Sequence, residues 1–403
     1  MSLGVFLLAP LICRWLFDDL SVSGRAESIR LLRILSIQVL LTSGISWSQA
    51  VYHARHRFIL PALAGVMGVA VSLAMVLWRG HEDIAVFAWA INVGSSVSLA
   101  IHLVPMLRHF RRPHADAGSL LRMAAGLWPL MTGAALIRVD PIVDRVLADD
   151  LEGSGAIAAV HYSQRIMGAL LALGTSSLSL IVFPQLSQHW AQGGTAGLAR
   201  HFAVALRRLI LLVTPIAIGF SVFAEQIVRD LLQRGEFTAD DARLVAWLVV
   251  ALMGMFVGAS IGGLLARGFY VLGDTRTPTW VGLVTMLLGV GLKFLLFPWL
   301  GLWAIPLGSS FYFLLSTVVM GILLGRRIGY SAYRGCWEAL FWATLSSLAA
   351  CGCSLLVYAT KLGGTLVAGP VGAVVYFACL WKCGAEDARQ LLRELKSKFF
   401  SGA

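Results

Sequence analysis

Apolar residues run along this chain in long uninterrupted stretches, and polar residues collect in short breaks between them. A helix needs about 20 apolar residues to cross a bilayer. About twelve such stretches are present, near residues 2–17, 29–52, 58–78, 84–106, 119–147, 156–186, 203–228, 242–270, 278–298, 302–324, 336–359 and 365–383. They are too long and too evenly apolar for barrel strands, which are shorter and alternate. The pattern predicts an all-α polytopic membrane protein of about 12 transmembrane helices.

The breaks alternate in charge. One set holds Arg55 and Arg57, then Arg108, Arg111 and Arg112, then Arg200, Arg207 and Arg208, then Arg267 and Arg276, then Arg326, Arg327 and Arg334. The other set holds Asp18, Asp19, Glu82, Asp83, Asp149, Asp150, Glu152, Glu236, Asp240 and Asp241. Basic loops stay in the cytoplasm, so with an even number of spans both termini are expected there. The first stretch lacks the basic start of a signal peptide and reads as a membrane helix that begins abruptly.

Composition agrees. The 403 residues are 58% hydrophobic and 13% charged, with mean hydropathy +0.80, whereas a soluble domain carries roughly a quarter charged residues. The net charge of +11 is accounted for by the alternating loops and calls for no nucleic-acid partner. Cys13, Cys336, Cys351, Cys353, Cys379 and Cys383 lie in or beside apolar stretches and read as small hydrophobes. No metal set accompanies them, and no cofactor is expected. The motifs GxxxxGK[ST] and HExxH are absent, so no enzyme of those classes is expected.

One internal boundary stands out: Arg108–Gly118 is polar, basic and contains a Pro. It sets off a shortened N-terminal helical region, 1–115, from a C-terminal helical region, 116–330. A last helix pair occupies 331–384, and 385–403 forms a basic tail. In that tail Leu391, Leu392, Leu395 and Phe399 oppose Arg389, Arg393, Lys396 and Lys398, the spacing of an interfacial helix.

Charge inside an apolar stretch costs several kcal/mol, so it marks function or a structural partner. Such charge is concentrated between Arg138 and Arg165. Arg138 and Arg145 share one helix face, and Asp140 and Asp144 share nearly the opposite one. Arg145 can also reach Asp149, and Pro141 removes a backbone hydrogen bond beside them. Arg165 sits about 15 Å into its stretch, near the midplane, with His161 one turn above it. A guanidinium there suits bidentate contact with phosphate oxygens. It would equally serve as a structural partner for Asp140 or Asp144. Lys293, near the outer end of its stretch, is expected to snorkel to the headgroups. Arg14, Arg33, Arg122 and Glu225 fall near helix ends and read as interfacial.

The segment Arg267-Gly-Phe-Tyr-Val-Leu-Gly-Asp-Thr-Arg-Thr-Pro278 resembles a loop of the MurJ/MviN family of lipid II flippases. Its logic is visible: Gly273 permits a turn, Asp274 or Thr275 can cap a helix, Arg276 opens it and Pro278 suits its first turn. Gln233-Arg-Gly-Glu-Phe-Thr238, Asp144-Arg145-Val-Leu-Ala148, Tyr162-Ser-Gln-Arg165, and Trp47-Ser-Gln-Ala50 with Arg57-Phe58 and Pro61-Ala-Leu63 are similar to further family segments in the same order.

The resemblance implies the fold of the multidrug/oligosaccharidyl-lipid/polysaccharide exporter superfamily, two helical lobes around a central cationic cavity. It implies alternating access that carries a polyprenyl-pyrophosphate-linked glycan, most simply lipid II, across the bacterial inner membrane. Arg165 would hold the pyrophosphate, and the helices near 336–383 would border a groove for the polyprenyl tail. Family members usually have fourteen helices, and this chain aligns from the third. It also adds Arg138-Val-Asp140 where the family is more often neutral. A flippase for a lipid-linked exopolysaccharide, a shortened non-transporting paralogue and a cation-coupled drug exporter remain alternatives, and the coupling ion is left open.

Overall fold

A computed structural model describes residues 2–16, 22–54, 57, 59–79, 83–107, 118, 139–149, 155–172, 177–359 and 364–382. The described residues are helical with short turns. Seven of their helical stretches are long and apolar enough to cross a membrane. Each backbone polar group in hydrocarbon must be paired within the protein, and helices do this locally. The chain is thus an all-α, multi-pass membrane protein. Residues 1–116 and 117–403 form two compact units.

The first unit contains α1 (Ser2–Leu16), α2 (Val22–Ala54), α3 (Ile59–Arg79) and α4 (Ala85–Leu107). Polar side chains join these helices where apolar packing alone is weak in lipid. Asn92 Nδ2 donates to the Ile34 carbonyl at 2.7 Å, Gln38 Nε2 to Ser95 Oγ at 2.8 Å, and the buried Tyr52 hydroxyl to the His102 carbonyl at 2.9 Å.

The second unit contains α5 (Val139–Asp149), α6 (Ala156–Leu171), α7 (Ser177–Leu232), α8 (Ala239–Ala251), α9 (Met253–Val271), α10 (Arg276–Leu300), α11 (Ala304–Ile328), α12 (Cys336–Ala359) and α13 (Gly364–Lys382). Gly254, Gly258 and Gly262 form a small-residue stripe that lets α9 meet α11 closely. A methyl at Gly258 would lie 2.7 Å from the Phe313 backbone.

Two boundaries differ from the hydropathy pattern. The basic stretch Arg200, Arg207 and Arg208 is helical, broken from the preceding span only at Gly194 (φ 57°). Leu198 and Phe202 are fully buried beneath exposed Arg200, so apolar burial on one face extends the helix past the hydrocarbon. The stretch near 242–270 is two helices. The Ser310 hydroxyl enters the ladder at the break, donating to the Ala251 carbonyl at 2.6 Å and accepting from Met255 N at 3.1 Å. The Arg108–Gly118 linker (except residue 118), Arg122, Arg138 and the basic tail lie outside the described residues.

Candidate functional site

Helix α5 buries its acidic face. Asp140 and Asp144 are one turn apart, 7% and 2% exposed, while Arg145 on the other face is exposed. The cation that meets the two carboxylates comes from α10. Lys293 is 0% exposed, and its ammonium donates to Asp140 Oδ1 and Asp144 Oδ1, each at 2.6 Å. The outer oxygens are occupied too. The Tyr312 hydroxyl of α11 donates to Asp140 Oδ2 at 3.1 Å, and Gln164 Nε2 of α6 donates to Asp144 Oδ2 at 2.7 Å. Four helices are tied together by one charged cluster.

Two glycines make room for it. A methyl at Gly289 would stand 2.6 Å from Tyr312 Cβ, and one at Gly308 would collide with the Lys293 stem. With both bare, α10 and α11 approach closely, and Lys293 lies between them and α5. The expectation that Lys293 snorkels to the headgroups is therefore wrong. Its stem is enclosed, and two carboxylates offer the ammonium stronger partners than water beyond a closed helix pair. The pairing of Arg165 with Asp140 or Asp144 is also not found, because Lys293, Tyr312 and Gln164 hold all four carboxylate oxygens.

Matching depth could have revealed this pair. Lys293 lies seven residues from the end of α10 and Asp144 five from the end of α5, roughly 10 and 8 Å of helix rise. Both ends face the predicted outer side. Opposite charges at equal depth in two spans are a pairing signal that periodicity within one helix does not carry.

Helix α6 has two faces. Ala159, Val160, Ser163 and Met167 are buried, whereas His161 and Arg165 are exposed one turn apart. Arg165 follows Gln164 directly, so the residue that anchors α6 to the cluster stands next to the exposed arginine. Arg138 lies outside the described residues, as does the side chain of Asp149. Among the described residues, no three His, Cys, Asp or Glu side chains gather to hold a metal ion.

The turn before α10 is built as its residues imply. Gly273 takes φ +78°, which an L side chain rarely adopts. Asp274 caps the helix: its Oδ1 accepts from Thr277 N at 2.9 Å and its Oδ2 from Thr277 Oγ1 at 2.6 Å. Thr275 makes no side-chain cap, and Pro278 is buried in the first turn. Arg327 of α11 pairs with Asp274 Oδ2 at 2.7 Å and lies over the Phe269 ring. Burial alone would raise the Asp274 carboxyl, but the Thr277 hydrogen bonds and the Arg327 charge outweigh it and lower it below 3.8. Among these contacts Gly273, Asp274 and Pro278 fix where three helices meet.

Two cavities open in this unit. One, of about 370 Å³, is almost wholly apolar and lies between α7, α12 and α13, lined by residues such as Leu211, Ile216, Phe223, Cys351, Ala373 and Phe377. The other, of about 430 Å³, lies between α9, α10 and α11.

Residues 1–370 match the family model described as Lipid II flippase MurJ. Among similar proteins, a lipid II flippase MurJ of Burkholderia cenocepacia is 26% identical over 235 residues, covering 54% of this chain and 44% of that protein. A probable lipid II flippase MurJ of Rhizobium tropici is 23% identical over 437 residues, covering 97% of this chain and 78% of that protein. The chain spans less than half the length of the first curated relatives it matches. A solved structure of lipid II flippase MurJ in an inward closed conformation superposes with TM-score 0.74 at 15% identity, over 97% of this chain and 81% of that one. An inward-facing multidrug resistance transporter of the MATE family gives 0.68 at 12% identity, over 83% of this chain and 79% of that one. At these identities the superpositions establish the fold.

Proposed function

This chain belongs to the MurJ family, and on that premise we propose that it moves a lipid-linked peptidoglycan precursor, lipid II, from the inner to the outer leaflet of the bacterial inner membrane. The match over residues 1–370 carries this reading. Two features of the second unit support it. Arg165 is exposed on α6 at about 14 Å from the start of the helix. A fixed cation at that depth stands ready for a pyrophosphate, which a guanidinium grips bidentately. The apolar cavity between α7, α12 and α13 offers the polyprenyl tail a lipid-like wall. His161 extends the exposed polar face, while Asp140 and Asp144 serve it indirectly by anchoring α6 through Gln164. Arg138 and Arg145 complete the cationic approach. The alternating charge of the loops supports a cytoplasmic position for both termini.

The reading is tested in cells depleted of their own flippase. Arg165→Ala should fail to restore growth and Arg165→Lys should restore it poorly, with membrane levels of each variant checked by immunoblot. Full rescue by the alanine variant overturns the assignment.

A further inference from the structure

One arginine of the second unit stands apart from the rest. Among the described residues four arginines are half-buried: Arg25, Arg207, Arg208 and Arg267. The first three have partners; Arg207, for instance, donates to the Arg334 carbonyl at 2.9 Å. Arg267, four residues before the end of α9, makes no hydrogen bond or ion pair among the described residues. Tyr270 stands beside it, one turn on. The nearest acid in sequence, Asp274, is already held by Thr277 and Arg327. A half-buried guanidinium without an anion is costly, and a bound anion would remove that cost.

Beside Arg267 lies the 430 Å³ cavity. Helices α9 and α10 both pack along α11 but scarcely touch each other, so the cavity is a crevice with α11 as its floor. A methyl added at Gly263 of α9 or Gly282 of α10 would enter open space. Ala266 and Tyr270, on either side of Arg267 in α9, line the crevice, as does Thr279 of α10. Arg267 is roughly 6 Å of helix rise from the end of α9, on the predicted cytoplasmic side. The mouth of the crevice therefore carries a fixed cation at the level of the inner headgroups.

Deeper in, Ser316 of α11 lines the crevice at 8% exposure, and its hydroxyl makes no hydrogen bond among the described residues. Neighbouring hydroxyls are engaged. Thr317 donates to the Gly258 carbonyl at 2.7 Å and Thr285 to the Val281 carbonyl at 2.8 Å. Gly262 faces Thr317, which puts Ser316 roughly 8 Å below Arg267 along α9. Phe313 and Met286 line the crevice farther from its mouth. Cation, unengaged donor and apolar wall follow one another as phosphate, ester and chain do in a glycerophospholipid. At 430 Å³ the crevice is near the lower end of small-ligand sites, so it takes one acyl chain and leaves the other in the bilayer.

We propose that Arg267 and the α9–α10–α11 crevice bind an anionic phospholipid of the inner leaflet, its phosphate on the Arg267 guanidinium, its ester at Ser316 and one acyl chain between α9 and α10. A guanidinium meets phosphate oxygens bidentately, which a zwitterionic headgroup satisfies less well because its own cation competes. Arg276, exposed at the first residue of α10, adds a second positive charge on the same side. The lipid fills the gap between two helices that lack contact with each other, and so braces the Gly273–Pro278 turn that joins them. The site is separate from Arg165 and stands whether or not the flippase reading does.

The test uses the full chain solubilised from vesicles of equal parts phosphatidylglycerol and phosphatidylcholine, with the lipid that stays bound counted by native mass spectrometry. One phosphatidylglycerol should be retained in preference to phosphatidylcholine by about tenfold or more, as a hydrogen bond to a charged group provides. Arg267→Gln should remove that preference. Gly282→Leu fills the crevice, its Cβ meeting open space, and should expel this lipid whatever its headgroup. Equal retention of the two lipids by the unaltered chain overturns the anionic headgroup. Unchanged retention in Gly282→Leu overturns the crevice, and this variant decides the matter if Arg267→Gln does not fold. Inorganic phosphate is added alone in a last arm. If it displaces the bound phosphatidylglycerol and raises the unfolding temperature of Gly282→Leu as much as that of the unaltered chain, Arg267 holds a free phosphate and the lipid assignment fails.

Discussion

In the second unit aspartates meet cations of other helices both at the rim and in the interior, in opposite surroundings. At the rim, Asp274 meets Arg327, whose side chain is 48% exposed. In the interior, Asp140 and Asp144 meet Lys293, which is fully enclosed. The distances are nearly the same, 2.7 and 2.6 Å. Water screens the first pair and shares its hydrogen bonds, so such contacts are worth about 0–1 kcal/mol. Nothing replaces a lost partner in the second. Distance alone therefore says little about what an ion pair does, and the surroundings set its strength.

The largest expected effect comes from removing the buried cation. Lys293→Met leaves two uncompensated carboxylates and should destabilise the protein by about 3–5 kcal/mol, read as a drop in thermal unfolding temperature in detergent. Adding Asp140→Asn and Asp144→Asn to Lys293→Met should recover most of that loss, since an uncharged cluster has nothing left unpaired. Failure of the triple variant to recover would mean that shape, and not charge, holds these helices. Next comes Gly289→Ala. Its methyl must displace Tyr312, so a loss of about 1–3 kcal/mol is expected by the same measurement. At the rim, Arg327→Ala should change stability by at most about 1 kcal/mol. A loss as large as that of Lys293→Met would erase the contrast.

Smallest is the acid dependence of the rim. The folded Asp274 carboxyl lies below its ordinary value of 3.8. A lowered acid contributes stability that is fully present above the unfolded value and is lost as pH falls through the folded one. Unfolding followed from neutral pH into acid should therefore show the Asp274 contribution fading only below about pH 4. Asp274→Asn should flatten that part of the curve.

Much of this architecture is legible in the chain. The apolar stretches near 58–78, 84–106, 278–298, 302–324 and 336–359 each correspond to a helix within a few residues, because in lipid only a helix pairs its own backbone. The Gly273–Pro278 turn was legible for a similar reason: Gly at positive φ and Asp at a cap are local requirements. Boundaries set by neighbours were not. The break at Leu252 is completed by Ser310, 58 residues away in sequence, whose hydroxyl takes over the freed backbone groups. The helical start of the Arg200–Arg208 segment depends on what Leu198 and Phe202 find beneath them.

The site divides in the same way. Asp140 and Asp144 stood out because two acids on one face of a membrane helix are costly wherever they are placed. Lys293 did not, because a lysine near the end of a span has an inexpensive route to the headgroups. Sequence alone determined most of the spans, the family and the shared face of Asp140 and Asp144, all of which depend on composition and local spacing. Tertiary structure alone decided which cation answers those acids. That choice depends on which helices lie side by side and on how closely Gly289 and Gly308 let them approach. No periodicity within a single span records either.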